Sequence, residues 1–418
     1  MAGDHRARSP RLLVLGAGPA QLGLLEAARA HGVWTAVADR DPAAPGFVLA
    51  DRRCIVSTED EPAIERLAAA LELDGVIAPG TDWPVAVAAR VAEKLGLPHP
   101  IAPATAVLAT NKLRQRERLA EAGIPQPRWQ LVTGEETDLV PPCVVKAPDR
   151  QGQKGLSLVL DPEELPAAIA VARSSSRGGT ALVEELVDGP EVTVSAFSAG
   201  GEFVPLTVTD RLTAAPPAFG VALAHVWPAQ GARPHVQGAR GNRARPPTEL
   251  EASSEIVAVA RRAVEALGIE AGPTYTQLRV GARGPEVMEV AARLGGGHDA
   301  ELVEEAVGVD LNGLALAAAF GETPDAPRPE PRVGGAVTRF LVARPGVLES
   351  VEVPERLEGV VRVRIYRRAG YVITPLRRGP DRAGALLAVG ATREQALARA
   401  ESAADRIRFV TADAEALV

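Results

Sequence analysis

The 418-residue chain carries 46 basic and 53 acidic side chains, and its net charge of −7 excludes a general nucleic-acid or anionic-membrane surface. At 46% hydrophobic and 24% charged it has a globular rather than a disordered composition, and at roughly 150 residues per domain it should hold two to four domains. Only Lys94, Lys112, Lys146 and Lys154 among the 46 basic residues are lysines, leaving 42 arginines. Coding bias accounts for the arginine excess but not for the positions of these four lysines.

Cys54 and Cys143 cannot form a disulfide framework, which fits a reducing cytoplasm. No apolar run reaches the ~18 residues that span a bilayer. Arg6, Arg8 and Arg11 precede the apolar run LLVLGAG, as in a signal peptide. Gly16, Gly18, Pro19 and Gln21 break that run, so a strand turning into a helix is expected instead.

The first hundred residues alternate strand and helix. Strands are expected at 11–18, 35–41 and 74–80, and helices at 21–32, 64–73 and 85–97. This α/β alternation implies a parallel, doubly wound sheet whose strand ends place Gly16–Gln21, Asp39 and Gly80–Asp82 around one crevice. A helix is then expected over 109–127, closed by Gly123 and a proline exit. Strands 143–148 and 156–160 flank the glycine-bearing loop DRQGQKG (149–155) as in a hairpin, followed by a helix at 162–175. Strands at 181–187, 191–198 and 203–212 read as antiparallel. Residues 213–248 read as loop, with an arginine-rich part at Arg233, Arg240, Arg243 and Arg245. Then come a helix at 253–268, paired strands at 274–281 and 286–297, short strands, and a helix at 393–407.

G-A-G-P-A-Q at Gly16–Gln21, with Asp39 about 20 residues on, is similar to the start of a dinucleotide fingerprint. Gln21 holds the position of its third glycine. Tight βα packing, a nucleotide site and part of a substrate crevice remain three readings of this loop.

Three of the four lysines fall within residues 112–154. Lys146 ends an apolar strand, Lys154 lies in the glycine loop, and Lys112 opens a helix, where backbone N–H groups favour anions. Compact ammonium groups so placed point to a polyphosphate site. Glu184 to Val187 lead into the turn at Gly189, where a chain crossing between lobes offers backbone groups to a purine, and Glu191 could accept from ribose hydroxyls. Period two along 286–297 puts Val287, Glu289, Ala291 and Arg293 on one strand face, with Gln277 beside Glu289. A carboxylate opposite phosphates needs a bridging cation such as Mg2+. Arg293 is placed to stabilise an oxyanion, and Gly295, Gly296 and Gly297 let backbone approach a substrate.

In this order, the segments NKLRQRERLAEAGIP, VVKAPDRQGQKG, VEELVDGPEVTV and EVAARLGGGH resemble the ATP-grasp superfamily. The resemblance is to its branch of L-amino-acid ligases and carbamoyl-phosphate-synthase-like proteins, and it covers about residues 11–410. It implies a Rossmann-like domain at 1–105, a two-lobed ATP-grasp domain at 106–325 with a mobile small lobe about 140–190, and a C-terminal α+β domain at 326–418. It implies ATP on Lys112, Lys146, Gln151, Gly152, Lys154 and Gly155, with the adenine hinge at Glu184, Glu185, Leu186 and Val187 and the ribose on Glu191. It further implies Mg2+ (or Mn2+) on Glu289 and Gln277, with Arg293, Lys154 and Glu289 as catalytic groups. Substrate would meet Arg293, Gly295, Gly296, Gly297, His298, His225 and Asp82. Arg382 and Gly384 match a recurrent D-R-A-G motif of the family's C-terminal domain.

Two positions depart from the family: Gln277 replaces a second acidic ligand and Ala291 replaces an asparagine. The activity implied is a carboxylate–amine ligase forming an amide through an acyl phosphate, with small-molecule substrates, a carrier protein as one presenter, and a homodimer. The alternatives are a bicarbonate-using carboxylase, a degenerate ATP-binding regulator that Gln277 and Ala291 would favour, and a nicotinamide oxidoreductase built on the N-terminal glycines.

Overall fold

The computed structural model describes residues 8–134, 136–230 and 253–412. Strands β1 (Arg11–Leu15), β2 (Trp34–Asp39), β3 (Arg52–Ile55) and β4 (Gly75–Ile77) form a parallel sheet in the order β3-β2-β1-β4. Both faces of such a sheet are covered, so its strands are apolar throughout. Leu13 and Leu15 enter one core with Ile64 and Val85, from α2 (Glu61–Ala70) and α3 (Asp82–Leu95). Leu12 and Val14 enter another with Leu24 and Leu25 of α1 (Leu22–Ala30).

The helix expected over 109–127 is two helices, α4 (Pro103–Thr110) and α5 (Lys112–Glu121). Asn111 between them is extended, and its side chain accepts from the Arg114 N–H as an N-cap. That cap starts a new helix and puts Lys112 at its first position.

Strands β5 (Trp129–Val132), β6 (Cys143–Lys146), β7 (Ser157–Val159) and β8 (Ala181–Glu185) form a small antiparallel sheet in the order β5-β8-β6-β7. Helix α6 (Leu165–Ser175) packs on it through Ala168, Ile169 and Ala172.

The largest sheet has eight strands: β9 (Glu191–Ala199), β10 (Glu202–Thr213), β11 (Ala222–Trp227), β12 (Gly272–Gly281), β13 (Gly284–Ala291), β14 (Gly335–Leu341), β16 (Val360–Ile365) and β18 (Gly384–Gly390). Its order is β13-β12-β9-β10-β11-β14-β18-β16. Strand β11 lies inside the stretch read as loop from sequence. Its six residues are flanked by Pro217 and Pro228, and only pairing with β10 and β14 reveals it. The arginine-rich stretch 233–245 lies outside the described residues. Past residue 325 the chain continues this sheet with β14, β18 and β16, covered by the C-terminal helix at Arg393–Arg406. Strands β15 (Gly346–Glu352), β17 (Val372–Ile373) and β19 (Arg408–Ala412) form a separate three-stranded sheet.

Gly189 joins the small sheet to the large one at a φ of +149°, and a Cβ there would lie 2.1 Å from the Val280 carbonyl oxygen. Gly189→Ala should therefore lower unfolding free energy by about 1–3 kcal/mol. Gly134→Ala meets open space and should stay within about 0.5 kcal/mol of wild type in the same urea titration.

Candidate active site

One face of the large sheet carries the polar groups. Gln277 on β12 pairs in register with Glu289 on β13, whereas Leu278 pairs with Val287. Met288 is thus the extra residue of a β-bulge. The bulge reverses the alternation expected from sequence: Val287 is fully buried in the core, while Glu289 faces the opposite way. Arg293 lies beyond the end of β13.

Lys112 sends Nζ to Glu289 Oε1 (2.8 Å) and to the Arg150 carbonyl (3.0 Å). Lys146, at the end of β6, sends Nζ to Glu184 Oε2 at 2.6 Å. Arg116 on α5 had no signal in the sequence, yet it is the hub. It donates from Nε and NH2 to Glu184 (2.7 and 3.2 Å) and from NH1 and NH2 to the Val287 and Met288 carbonyls (both 2.8 Å). Arg293 donates from Nε to Asp82 Oδ1 at 2.6 Å.

Burial drives the Lys146 ammonium down to about 8, against Glu184 and with help from Arg116 and Lys112. Burial also pushes Lys112 down, but Glu289 and Asp82 outweigh it and raise its pKa. Burial pushes the Glu289 carboxyl up, and Lys112, Arg293 and Lys146 overcome this to hold it at about 2. The groups form an alternating cluster of cations and carboxylates.

Three of the expected site residues stand as follows. Glu184, expected in a hinge acting mostly through backbone, has its side chain buried against Arg116 and Lys146. The Glu191 carboxylate, read as a ribose acceptor, is held by Arg211 (2.5 Å) and Arg279 (3.4 Å). Lys154 is exposed and has no ion-pair partner among the described residues, so the cluster contains two of the three lysines. Lys94, by contrast, makes an exposed pair with Glu65.

The backbone of residues 185–187, where the hinge is expected, is also tied down. The Glu185 and Leu186 N–H groups donate to the Arg128 and Pro142 carbonyls, and the Val187 carbonyl accepts from Arg279. The Glu185 carboxylate pairs with Arg128 and Arg283.

The loop 149–155 docks on both neighbouring units. Gln151, expected on ATP, caps α3 instead, its Oε1 accepting from the Asp82 and Trp83 N–H groups (2.7 and 3.2 Å). Gln153 Oε1 accepts from the Gly379 N–H at 3.0 Å. Gly152 and Gly155 have positive φ, as a tight loop requires.

Within the glycine run, Gly295 and Gly297 are packing necessities. A Cβ at Gly295 would lie 2.1 Å from Asp299 Oδ2, and one at Gly297 would lie 2.5 Å from His225 Cε1. Asp299 accepts from the Gly297 N–H (3.0 Å) and pairs with His225 Nδ1 (2.6 Å). Burial raises the Asp299 pKa, but His225 and the Gly297 N–H outweigh it, leaving a net lowering. His298, expected at the substrate, has both ring nitrogens engaged, Nε2 by Tyr366 and Nδ1 by Glu301 and Arg364. It supports the loop.

The N-terminal glycine loop is tied down by its neighbours. Asp39 accepts from the Ala17 and Asp41 N–H groups (2.8 and 2.9 Å). The Gln21 amide fills the space over Gly16 and Gly80.

Among the described residues no group of three or more His, Cys, Asp and Glu is arranged to hold a metal. Glu289 and Gln277 together offer one carboxylate and one amide oxygen. These hard donors suit Mg2+ shared with phosphate oxygens.

Comparison with known proteins gives a consistent picture. Residues 109–297 match the ATP-grasp domain family, and residues 339–412 match L-amino acid ligase C-terminal domain 2. Protein y4rH of Sinorhizobium fredii is 29% identical, over 89% of this chain and 77% of that protein. The crystal structure of an L-amino acid ligase from Bacillus licheniformis superposes with a TM-score of 0.77 at 24% identity, over 97% of this chain and all of that one. The biotin carboxylase domain dimer of Hydrogenobacter thermophilus 2-oxoglutarate carboxylase, solved with MgADP and bicarbonate, gives a TM-score of 0.76 at 18% identity, over 96% and 90% of the two chains.

Removing Arg116 would leave the buried Glu184 with Lys146 as its remaining cation and strip the Val287 and Met288 carbonyls and Gln126 Oε1 of their donor. Arg116→Leu should lower unfolding free energy by about 3 kcal/mol or more, read from the urea midpoint.

Proposed function

We propose that this chain, whose residues 109–297 match the ATP-grasp domain family and 339–412 the L-amino acid ligase C-terminal domain 2, joins an amino acid or other small carboxylic acid to an amine, with ATP converted to ADP and phosphate. The observation that carries this reading is the convergence of Lys112, Lys146, Glu289 and Arg293, from three separate chain segments, on one end of the sheet face. Two ammonium groups and a guanidinium, each now paired with a carboxylate (Glu289, Glu184 and Asp82), suit a polyphosphate and its cation once phosphate oxygens displace those partners. The match to the L-amino acid ligase C-terminal domain favours amide formation over carboxylation.

In this proposal a carboxylate oxygen of the acid attacks the γ-phosphorus, and the β–γ bridging bond breaks to release ADP. An amine then attacks the acyl carbon, phosphate leaves with the C–O electron pair, and the amine gives up a proton. Lys112 and Lys146 hold the phosphate oxygens, and Arg293, oriented by Asp82, faces the oxyanion. Glu289 and Gln277 would hold Mg2+, which supplies charge neutralisation between the phosphates. The loop 149–155, already resting on Asp82 and Gly379, excludes water that would hydrolyse the acyl phosphate. Closure on bound nucleotide would bring Lys154 inward.

Gln277 and Ala291 support a second reading, an ATP-binding protein without turnover. ADP release screened over amino-acid pairs separates the two. No helix among the described residues is long and apolar enough to cross a membrane, and Cys54 and Cys143 are both free thiols. We therefore place the protein in the cytoplasm, and we extend the dimeric state of the Hydrogenobacter domain to it as a homodimer. A carrier protein remains an alternative presenter of the acid.

Arg293→Ala should keep ATP affinity within a few-fold while amide formation falls by about 10²–10³. Equal product yields from the two proteins would overturn its role. Lys146 also sets a pH limit, because its ammonium is lost as pH rises through about 8. ATP affinity should fall above that pH, and binding at pH 8.5 should take up a proton, read by calorimetry in two buffers of different ionisation enthalpy. Lys146→Arg should abolish the proton uptake and impair ATP use, whereas Lys94→Arg should be silent.

A further inference from the structure

The loop 149–155 and the turn that follows α6 are tied into one body. Asp149 Oδ2 accepts from the Ser176 hydroxyl (3.2 Å) and from the Arg177 and Gly178 N–H groups (2.8 and 3.1 Å). Arg150 donates from Nε to the Ser175 carbonyl at 2.5 Å. Gly155 packs so closely on Ser175 that a Cβ there would lie 2.7 Å from the serine Cβ.

Two side chains cross from this body to the first two residues of α3. Arg177 lays its guanidinium over the Trp83 ring, with Cζ 3.7 Å from the ring centre. The same guanidinium pairs with Glu59 at 2.5 Å and holds the Asp149 carbonyl at 2.8 Å. Gln151 Oε1 accepts from the Asp82 and Trp83 N–H groups. N–H groups in the first turn of a helix have no acceptor within that helix. Thr81, at the N-cap, makes no side-chain cap of its own. The cap of α3 is therefore supplied by Gln151, about 70 residues away in another sheet unit, and it lasts only while the loop is docked.

That first turn also aims Arg293. Asp82 Oδ1 is shared by Arg293 Nε (2.6 Å) and NH2 (2.5 Å), so the direction of the guanidinium follows the position of Asp82. Gln151 and Arg177 reach Arg293 through α3. A partly exposed ion pair and a cation–π contact are individually weak, so the attachment can be released and remade in every cycle.

We infer that Gln151 and Arg177 are positioning residues that make the aim of Arg293 depend on the docking of the small sheet and its loop. Undocking uncaps α3, frees Asp82 and lets Arg293 turn away, and redocking restores it. This rests on the role proposed above for Arg293 and adds a control to it: the oxyanion is stabilised only while the loop shuts water out.

The test compares wild type with Gln151→Ala, Arg177→Ala, Arg177→Lys and Arg173→Ala. The Arg173 guanidinium bonds the Gly179 and Gly134 carbonyls beside the same small sheet, so Arg173→Ala is the control for a merely structural loss. Hydrogen exchange at the Asp82 and Trp83 N–H groups reads the cap in the ligand-free protein. Exchange there should quicken about 10-fold in Gln151→Ala and about 3- to 10-fold in Arg177→Ala, as for one lost hydrogen bond or ion pair. Arg177→Lys, which keeps a cation over Trp83, should recover part of the protection, and Arg173→Ala should match wild type. Exchange unmoved in Arg177→Ala, or moved equally in Arg173→Ala, would overturn the inference.

Phenylglyoxal labelling of Arg293, mapped by mass spectrometry, reads the aim without turnover. It should rise about 3-fold or more in Gln151→Ala and Arg177→Ala, as the guanidinium leaves its ion pair. Labelling that stays at the wild-type level while exchange at residues 82–83 has risen would show Arg293 indifferent to the cap and overturn the inference. In turnover on mixtures of the twenty L-amino acids, wild type should release about one ADP per amide and the two alanine variants about 3-fold more. The excess arises as water adds to the acyl carbon, phosphate leaves and the acid is regenerated. Exchange and labelling that rise as expected, with no amide from wild type, would support the coupling and sink the ligase reading.

Discussion

The cost of burying charge governs this structure, and the Arg116–Glu184 contact is where it is met. Arg116 is 1% exposed and Glu184 3%. Burying either charge alone would be costly, and Glu184 is also the anchor for Lys146. The same guanidinium grips two carbonyls of β13 on either side of the bulge. One side chain thereby joins the small sheet, the large sheet and α5. The bulge that turns Glu289 away from the core is held by groups that also hold the lysine opposite it, so the two sides of the phosphate end are positioned together.

Charge is graded along the sheet face. At one end cations and carboxylates alternate and largely cancel, so a phosphate chain entering there must displace an existing partner such as the Glu289–Lys112 pair. At the other end Arg382 meets the Gly379 and Ala222 carbonyls and the Phe340 ring, and no ion-pair partner among the described residues. The two ends are linked by the loop from Arg293 through Gly297, whose glycines let Asp299 and His225 pack under the backbone. Its geometry explains why small residues were needed there, beyond leaving room for a ligand.

Much of this was legible in the chain. Continuous apolar runs announced the parallel sheet, and the scarcity of lysine singled out Lys112 and Lys146. Register alone placed Gln277 beside Glu289. Arg116 was not legible, because it is one of 42 arginines and its partner lies 68 residues away. Strand β11 was missed because six residues between prolines carry little periodic signal. The bulge at Met288 was missed because strict alternation gives no sign of an extra residue. Glu191 and Gln151 were assigned to nucleotide by motif position, whereas Arg211 and the exposed N–H groups of α3 compete for the same atoms.

The continuous eight-stranded sheet also bears on how this chain could be shortened or recombined. Residues Ala224–Val226 of β11 spend one edge on β10 and the other on β14. A chain ending near residue 330 would leave that second edge as a row of bare N–H and C=O groups, a template for pairing with a neighbouring molecule. The C-terminal segment is therefore the cover of an adhesive edge as well as the carrier of Gly379, on which the loop 149–155 rests. A replacement segment would have to bring a strand that fits β11 before it could bring a new rest for that loop.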